Sequence, residues 1–476
     1  MDATNSSLIL AEAGKITSSQ AQTVAYDWSL EFKVKDSYTG EFKMTDNDYT
    51  LVPKEEKDEK IFTPFKVLNI DFIDDYEKHT FQEIKARVVI PLGMWVKCLY
   101  GARNDLLAIV RRVPLANTTY EVLQDAEVEE FVYDCIFHLK QNQNFEANAH
   151  ASSSRTDLDI RGELLEIDVE LLCRNVELVR KVTIGGKYRN AKPEDTIKNI
   201  LSSFTEDLEV EGSKAINSIS MVDAINTEKR DHIIIPHGMP LLDAPLYIQK
   251  HCGGVYNVGL NCYAVEDKIF VYPVYQTDRF EKEKKTLTVY KIPTNVAPQV
   301  EQSFMVDGDA LFVLGLSDAA FGDQSLPKKL ASGSGVRYTD SRKFLNGFTE
   351  SKDNKTTVKR KENNSEYKAE DLKGQDNIPL ANNRINSNAF NERSKLASRN
   401  GGVYTFKWDN SYPGLLYPGM PARILYEDVG EIKEMRGVLL QTHTSISLIG
   451  DGMTANKHGT ITGLSLFALP FLEGEA

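Results

Sequence analysis

A hairpin near the C-terminal end of the sequence constrains the fold more than any other stretch. In "LLYPGMPARILYEDVGEIKEMRGVLLQTHTSISL", Pro418-Gly419 predicts a turn, residues 422–427 a strand, residues 428–430 a second turn and residues 436–443 a second strand. Two strands joined in this way are not stable in isolation, because they need a further strand or a packed face. The segment therefore predicts that the chain builds a larger sheet or a barrel.

Strand-like runs fill most of the chain before and after one helical region. "WSLEFKV" alternates apolar and polar residues, with Trp28, Leu30, Phe32 and Val34 on one side. Further strand candidates are "KARVVIPLGMWVKCLYG", "DLLAIVRRVPL", "FVYDCIFHL" and "ELLEIDVELLCRNVELVRKV". Residues 1–22 are small and polar, which predicts an arm or a frayed end. The chain as a whole reads as β-rich.

The helical region lies between residues 190 and 278. "KPEDTIKNILSSF" places Ile197, Ile200, Leu201 and Phe204 at the spacing of one helix face. "DAPLYIQKHCGG" predicts a second helix with Asp243 as N-cap and a glycine stop, followed by two strands. Its inner side is predicted to carry Leu246, Tyr247 and Ile248, and its stop is Gly253.

These patterns predict a β-rich α+β fold with six segments. The predicted segments are a 1–22 N-terminal arm, a 23–189 first β-barrel region, a 190–278 small α+β insertion, a 279–320 start of the second β-barrel, a 321–400 polar basic extended insertion and the 401–476 closing strands of that barrel.

Charge is distributed unevenly along the 476 residues. The chain carries −13 overall, so its surface repels phosphates and stable binding of nucleic acid is not expected. Residues 321–400 are instead basic, with 16 Lys and Arg against 10 Asp and Glu, and they are poor in apolar residues. Two interpretations stay open for this insertion: a solvated loop, or an arm that orders on an acidic neighbouring subunit during assembly.

No strong catalytic or metal-binding motif is present. One conceivable metal site combines His237, His251, Cys252 and Cys262, but the spacing of these residues matches no standard zinc pattern. The stretch "DFIDD" at residues 71–75 is interpreted as a charged turn rather than a cation site. The three tryptophans lie in strand-like contexts where core packing is the default. The sequence therefore predicts no enzyme, no cofactor, no metal site and no catalytic residue. The three tryptophans are Trp28, Trp95 and Trp408.

The cysteine pattern and the ends of the chain bear on the compartment. The five cysteines are an odd number without C-x-x-C spacing, which favours reduced thiols over a disulfide framework. The first residues lack the pattern of a secretory signal, and "LSLFALPFL" is about half the length of a membrane helix. We therefore expect no membrane partner.

Three segments, in this order along the chain, resemble the central baseplate hub proteins of contractile-tailed bacteriophages. They are residues 163–201, residues 240–274 and the C-terminal hairpin, and they cover about a third of the sequence. The resemblance implies a homotrimer in which each subunit supplies two similar tube-type β-barrels to a ring of six. It also implies that the ring joins the tail tube to the central spike, beside neighbouring baseplate wedge proteins, and lets DNA pass through an acidic channel.

The same resemblance places the protein in the virion tail after assembly in the host cytoplasm. Three other classes of function remain as alternatives: another tail or head–tail structural protein, a tail-associated cell-wall hydrolase, and a carbohydrate-binding or adhesin module. The hydrolase would need two carboxylates flanking a sugar, and the sequence does not single out such a pair.

Overall fold

The computed structural model describes eighteen segments of the chain, and the first of them forms helix α1 (Ser7–Ser18). The described residues are 7–18, 25–34, 40–45, 48–53, 61–102, 105–115, 128–138, 164–205, 216, 218–293, 303–317, 321–323, 357–360, 367–370, 397–398, 401–428, 430–449 and 457–469.

An antiparallel sheet forms the first barrel region. Its strands are β1 (Ala25–Val34), β4 (Ile61–Phe62), β5 (Lys66–Asp75), β6 (Glu83–Pro91), β7 (Leu106–Leu115), β8 (Glu129–His138) and β9 (Leu164–Cys173), with a separate hairpin of β2 (Gly40–Thr45) and β3 (Asp48–Pro53). The strand order is β5-β6-β9-β8-β7-β1-β4. The predicted alternation in β1 is confirmed, since Trp28, Leu30 and Phe32 all point into one apolar core.

A helical segment, α2, follows β6 and packs into that core. It consists of three consecutive helical stretches, Leu92–Met94, Trp95–Leu99 and Tyr100–Ala102. The interpretation of "PLGMWVKCLYG" as strand is therefore wrong. Trp95, Cys98, Leu99 and Ala102 are buried, and their spacing of three, one and three residues is that of a helix face.

The α+β unit follows β9 and has its own core. Its elements are α3 (Arg174–Lys181), β10 (Thr183–Ala191), α4 (Pro193–Thr205), β11 (Ser218–Met221), β12 (Arg230–Pro240), α5 (Ala244–His251), β13 (Leu260–Val265) and β14 (Lys268–Pro273). β10 pairs with β12, and β11, β14 and β13 form a second small sheet. The interpretation of "CRNVELVRKV" as strand is wrong, because Val176 and Val179 are buried one turn apart on α3.

Both predicted helices of this unit are present. In α4, Ile197, Ile200 and Leu201 are buried as predicted, but Phe204 is 41% exposed, so its assignment to the inner face is wrong. The last turn of α4 buries the smaller Thr205, whose hydroxyl donates to the Leu201 carbonyl.

Helix α5 also begins and ends as the sequence predicts. Asp243 occupies the N-cap position, but its side chain makes no capping hydrogen bond to the described residues. Gly253 follows the C-cap with φ +100°, a conformation that suits glycine. Ile248 is buried, whereas Leu246 and Tyr247 are half-buried.

The second barrel is a closed ring of six strands in the order β15-β17-β21-β24-β23-β22. The strands of the C-terminal part are β15 (Thr286–Pro293), β16 (Phe304–Asp307), β17 (Ala310–Ser317), β18 (Phe321–Asp323), β19 (Thr357–Arg360), β20 (Tyr367–Glu370), β21 (Gly402–Asp409), β22 (Pro421–Asp428), β23 (Glu431–Ile449) and β24 (Lys457–Ala468). β15 runs parallel to both of its neighbours, β17 and β22, and the remaining pairs of the ring are antiparallel.

The long strand β23 belongs to both barrels. Its first half pairs with β22, and further along the same edge residues 441–447 pair with β5 of the first sheet. β24 accompanies it on the other edge, and Ile446 lies in the core of the first barrel region. The predicted C-terminal hairpin is confirmed as β22 and β23, and its second strand joins the second barrel to the first barrel region through backbone hydrogen bonds.

The N-terminal helix α1 covers part of the outside of the second barrel. Ile9, Ala13 and Ile16 are buried against Tyr290 and Ile292 on β15. Residues Ser7–Ser18 therefore form a docked helix and not a frayed end. A helix of 12 residues is marginal in isolation, and burial of its apolar side chains against the barrel stabilises it.

The predicted β-rich α+β fold class is confirmed. The three tryptophans are buried as predicted, although Trp95 lies in helix α2 and not in a strand. All five cysteines lie in the described part of the chain, and none of them forms a disulfide. Most of the basic insertion at residues 321–400 lies outside the described residues, so both interpretations of it stay predictions.

Candidate functional site

One buried carboxylate lies where both barrels and the α+β unit meet. Asp74, near the end of β5, accepts hydrogen bonds from the Gln82 side-chain amide at 3.0 and 3.1 Å. It also accepts one from the Tyr263 hydroxyl at 2.8 Å and one from the Thr442 hydroxyl at 3.0 Å. Because Tyr263 belongs to β13 and Thr442 to β23, this single side chain connects three structural units.

Burial changes the acidity of this carboxyl group. The loss of hydration raises the pKa of Asp74 above its ordinary value, although the hydrogen bonds from Gln82, Tyr263 and Thr442 act in the opposite direction. Burial and the neighbouring Asp74 likewise raise the pKa of Tyr263, so its hydroxyl remains a donor. The Asp74 carboxyl group is thus bound by neutral hydrogen-bond donors and, among the described residues, by no cation.

The raised pKa predicts a specific pH dependence. The folded chain binds the Asp74 proton more tightly than the unfolded chain. The stability that this tighter proton binding adds is fully present below pH 3.8, and it is lost as the pH rises through the higher folded-state pKa of Asp74. We therefore expect the free energy of unfolding of the wild type, relative to Asp74→Asn, to fall across this range and then to level off. Urea unfolding of both proteins at a series of pH values measures the difference. A difference that grows with pH contradicts the assignment.

A group of aromatic and amide side chains surrounds the carboxylate. The Tyr272 hydroxyl donates to the Tyr76 carbonyl at 2.7 Å, and the Asn261 amide donates to the same carbonyl at 2.8 Å. The rings of Tyr76 and Tyr263 meet edge to face at 5.0 Å. The backbone of Tyr76 in turn donates to the Leu440 carbonyl of β23 at 2.8 Å. The turn after β5 is therefore held from both the α+β unit and the second barrel.

The Pro-Gly turn that introduces the C-terminal hairpin closes this junction. Gly419 has φ +68°, and a Cβ atom there would lie 2.2 Å from Cδ2 of the Tyr272 ring. The buried guanidinium of Arg279 donates to the Gly419 carbonyl. Glycine is required at this position both for the backbone conformation and for the close approach of the tyrosine. The turn therefore fixes the position of the α+β unit against the second barrel.

Two further contacts connect the barrels away from Asp74. The Thr462 hydroxyl lies 2.9 Å from that of Thr444 and 2.7 Å from that of Ser411, and all three residues are buried. On another side, the Arg112 guanidinium of β7 lies 5.6 Å from the Tyr412 ring centre and 5.7 Å from that of Trp28. Polar contacts of this kind need defined geometry, so they favour one fixed relation between the barrels.

Two of the sequence's metal candidates lie in strands, His237 in β12 and Cys262 in β13, while His251 ends helix α5 and Cys252 follows it. Among the described residues, no group of three or more His, Cys, Asp or Glu side chains is arranged to hold a metal ion. Burial raises the pKa of the Cys262 thiol to about 12, and the His237 ring lies against Gly185.

The interpretation of residues 71–75 as a charged turn is wrong, because they lie in β5 and the turn follows them. Asp74 was missed as a junction residue, although the alternation of Ile70, Phe72 and Asp74 put it on the inner side. No helix in the described ranges has the length and apolar character needed to cross a membrane.

Comparisons with known proteins give structural matches only. No family model matches the chain, and no curated protein sequence matches it. A tail protein from Neisseria meningitidis matches with 9% identity and a TM-score of 0.40, covering 93% of this chain and 96% of that one. The 43 kDa tail protein of prophage MuSo2 from Shewanella oneidensis matches with 10% identity and a TM-score of 0.40, covering 86% and 95%.

A third match is an Escherichia coli component of the type VI secretion system, described as structurally similar to T4 bacteriophage tail proteins. It has 10% identity and a TM-score of 0.37, and covers 86% of this chain and 74% of that one. Tail proteins are thus among the solved structures that this chain matches.

Proposed function

We propose that this chain is a structural hub protein of a phage tail baseplate or a related contractile injection machine. Three copies form a ring of six barrels that joins the tail tube to the central spike and lets DNA pass. The observation that carries the proposal is the long strand β23, which pairs with β22 and β24 of the second barrel and with β5 of the first barrel region. The protein is then a scaffold rather than an enzyme.

The symmetry of such a ring makes a demand on the chain. Six barrels around one axis are each rotated by about 60° from the next, and three chains can supply them only if the relation of the two barrels within a chain matches that between chains. A flexible linker between barrels would not meet this demand. The Asp74 cluster, the threonine contacts and the β23–β5 ladder supply a fixed relation.

The charge of the chain fits a passage for DNA. The net charge of −13 opposes adsorption of phosphates to the walls of a channel, so DNA would slide and not bind. In this proposal the partners are the tail tube protein, the central spike protein and neighbouring baseplate wedge proteins. The protein is then found in the virion tail after assembly in the host cytoplasm, with no membrane partner. The domain boundaries given from the sequence remain part of the proposal.

Light scattering combined with negative-stain imaging tests the proposal. We expect a mass three times that of the 53.5 kDa chain, with ring-shaped particles that have a central hole. The same sample supplies both readings, so an aggregate of similar mass is recognised by its shape. A compact monomer at every concentration, without rings, contradicts the trimeric hub.

A further inference from the structure

The hairpin β10–β12 of the α+β unit presents a basic outer surface. Lys187 and Arg189 on β10 are exposed, and across the ladder they pair with Ile234 and His232 on β12. Ile234 lies across from Lys187 and is 56% exposed. We call the outward side chains of Lys187, Arg189, His232 and Ile234 the basic ribbon.

The cations of the basic ribbon differ from several cations on the barrels. Across the described residues, neither Lys187 nor Arg189 has an ion-pair partner, whereas cations on the barrels such as Arg87, Arg111 and Lys433 do. The ribbon belongs to a sheet of two strands, and all four of its outward side chains are exposed. A surface with unmatched positive charge around an apolar residue fits an acidic partner that also offers an apolar contact.

The outer side of β9 and β8 has the opposite character. Glu166, Asp168 and Glu170 alternate along β9 and point away from the core, which is occupied by Ile167, Val169 and Leu171. Ile136 lies directly across from Glu170 and is 45% exposed, and Leu164 is 55% exposed. We call these outward residues, Leu164, Glu166, Asp168, Glu170 and Ile136, the acidic face.

Carboxylates outnumber cations on this side of the sheet within the described strands. Arg87 is shared between Asp168 at 2.7 Å and Glu166 at 3.3 Å. Glu170 faces His138 at 3.0 Å and Lys85 across the ladder, and the Lys85 ammonium is bound to Glu83. The acidic face thus combines three carboxylates with exposed apolar side chains, as the basic ribbon combines two cations with Ile234.

We propose that the basic ribbon of one chain docks on the acidic face of a second copy of this chain. Two complementary surfaces at different places on the same chain make a head-to-tail contact, and repetition of that contact closes a ring when the rotation permits. This inference rests on the proposed trimer and adds to it the surfaces through which neighbouring subunits recognise each other. It also gives the α+β unit a role in assembly.

Charge reversal with a compensating partner tests this contact. The first variant is Lys187→Glu with Arg189→Glu, and the second is Glu166→Lys with Glu170→Lys, which leaves the Arg87–Asp168 pair intact. In each variant the attraction becomes repulsion, so we expect trimer formation to weaken by about a hundredfold or more. In the variant with all four substitutions the ribbon is acidic and the face is basic, so the two surfaces are complementary again. We expect this variant to recover the trimer.

A matched control separates the contact from a general effect of charge. Lys250→Glu with Lys268→Glu changes two exposed lysines of the same unit and alters the net charge by the same amount. We expect this control to assemble as the wild type does. Thermal melting of every variant checks that the fold is retained, since all the substituted side chains lie at least partly in solvent.

The outcomes distinguish this contact from the proposed function. If the wild type and the first variant form the same trimer at low and high salt, the docking of ribbon on face is overturned and the hub proposal stands. A four-substitution variant that stays dissociated while folded also overturns the contact. A wild type that never associates overturns the ring and this contact together. Loss of the trimer in both double variants, with its recovery in the four-substitution variant, supports the docking of the basic ribbon on the acidic face.

Discussion

Gly419→Ala is expected to lower the free energy of unfolding by about 2–5 kcal/mol, the sum of a left-handed backbone penalty and overpacking against a buried ring. The new methyl group would lie 2.2 Å from Tyr272 Cδ2, and Tyr272 has no room to retreat because its ring is buried. Urea denaturation, followed by tryptophan fluorescence, measures the loss. We also expect faster proteolysis between the α+β unit and the second barrel.

Gly430→Ala is the matched control for this prediction. Gly430 also has a positive φ, +80°, but no atom of the described residues beyond its chain neighbours lies within 4 Å of a Cβ atom placed there. Its replacement carries the backbone penalty alone, about 1–2 kcal/mol. Equal losses in the two variants would show that the contact between the Pro-Gly turn and Tyr272 does not hold the junction.

Asp74→Ala is expected to cost about 3–6 kcal/mol. The buried hydroxyls of Tyr263 and Thr442 lose their acceptor at about 1–3 kcal/mol each, and the half-buried amide of Gln82 loses it at a smaller cost. Asp74→Asn is the conservative control, since its amide oxygen still accepts a hydrogen bond. We expect the loss in Asn to be clearly smaller. Denaturant unfolding of both variants at neutral pH measures the two losses.

A double-mutant cycle makes the second prediction sharper. Tyr263→Phe removes one donor to Asp74, so its effect should be largely lost when Asp74→Ala is already present. Additive effects of the two substitutions would mean that the tyrosine and the carboxylate act separately. Ala and Asn variants of equal stability would likewise contradict the view of Asp74 as a shared acceptor for three units.

Local periodicity explains what the sequence could predict. The alternation in β1, the helix faces of Ile197, Ile200 and Leu201, and the C-terminal hairpin all depend on residues a few positions apart. Two strand predictions were wrong for the same reason. The apolar residues of "MWVKCLYG" and "RNVELVRK" also fit a helical spacing, and the choice between the two depended on packing into cores formed by other segments.

The junction could not be predicted because its partners are far apart in sequence. Asp74 binds Tyr263, 189 residues away, and Thr442, 368 residues away. A carboxylate on the inner side of a strand pattern was the available signal, and it was assigned to a charged turn. The sharing of β23 by two barrels was equally hidden, since the length of a strand does not reveal how many sheets it joins.

The proposed hub depends on one arrangement, in which the two barrels of a chain are adjacent members of a six-barrel ring. A cryo-EM map of the purified ring tests it most directly. We expect six barrel densities around a channel, joined in three pairs by the continuous hairpin of β23 and β24, with the α+β units outside. A ring in which only one barrel of each chain surrounds the channel, or an assembly without a channel, would contradict the account.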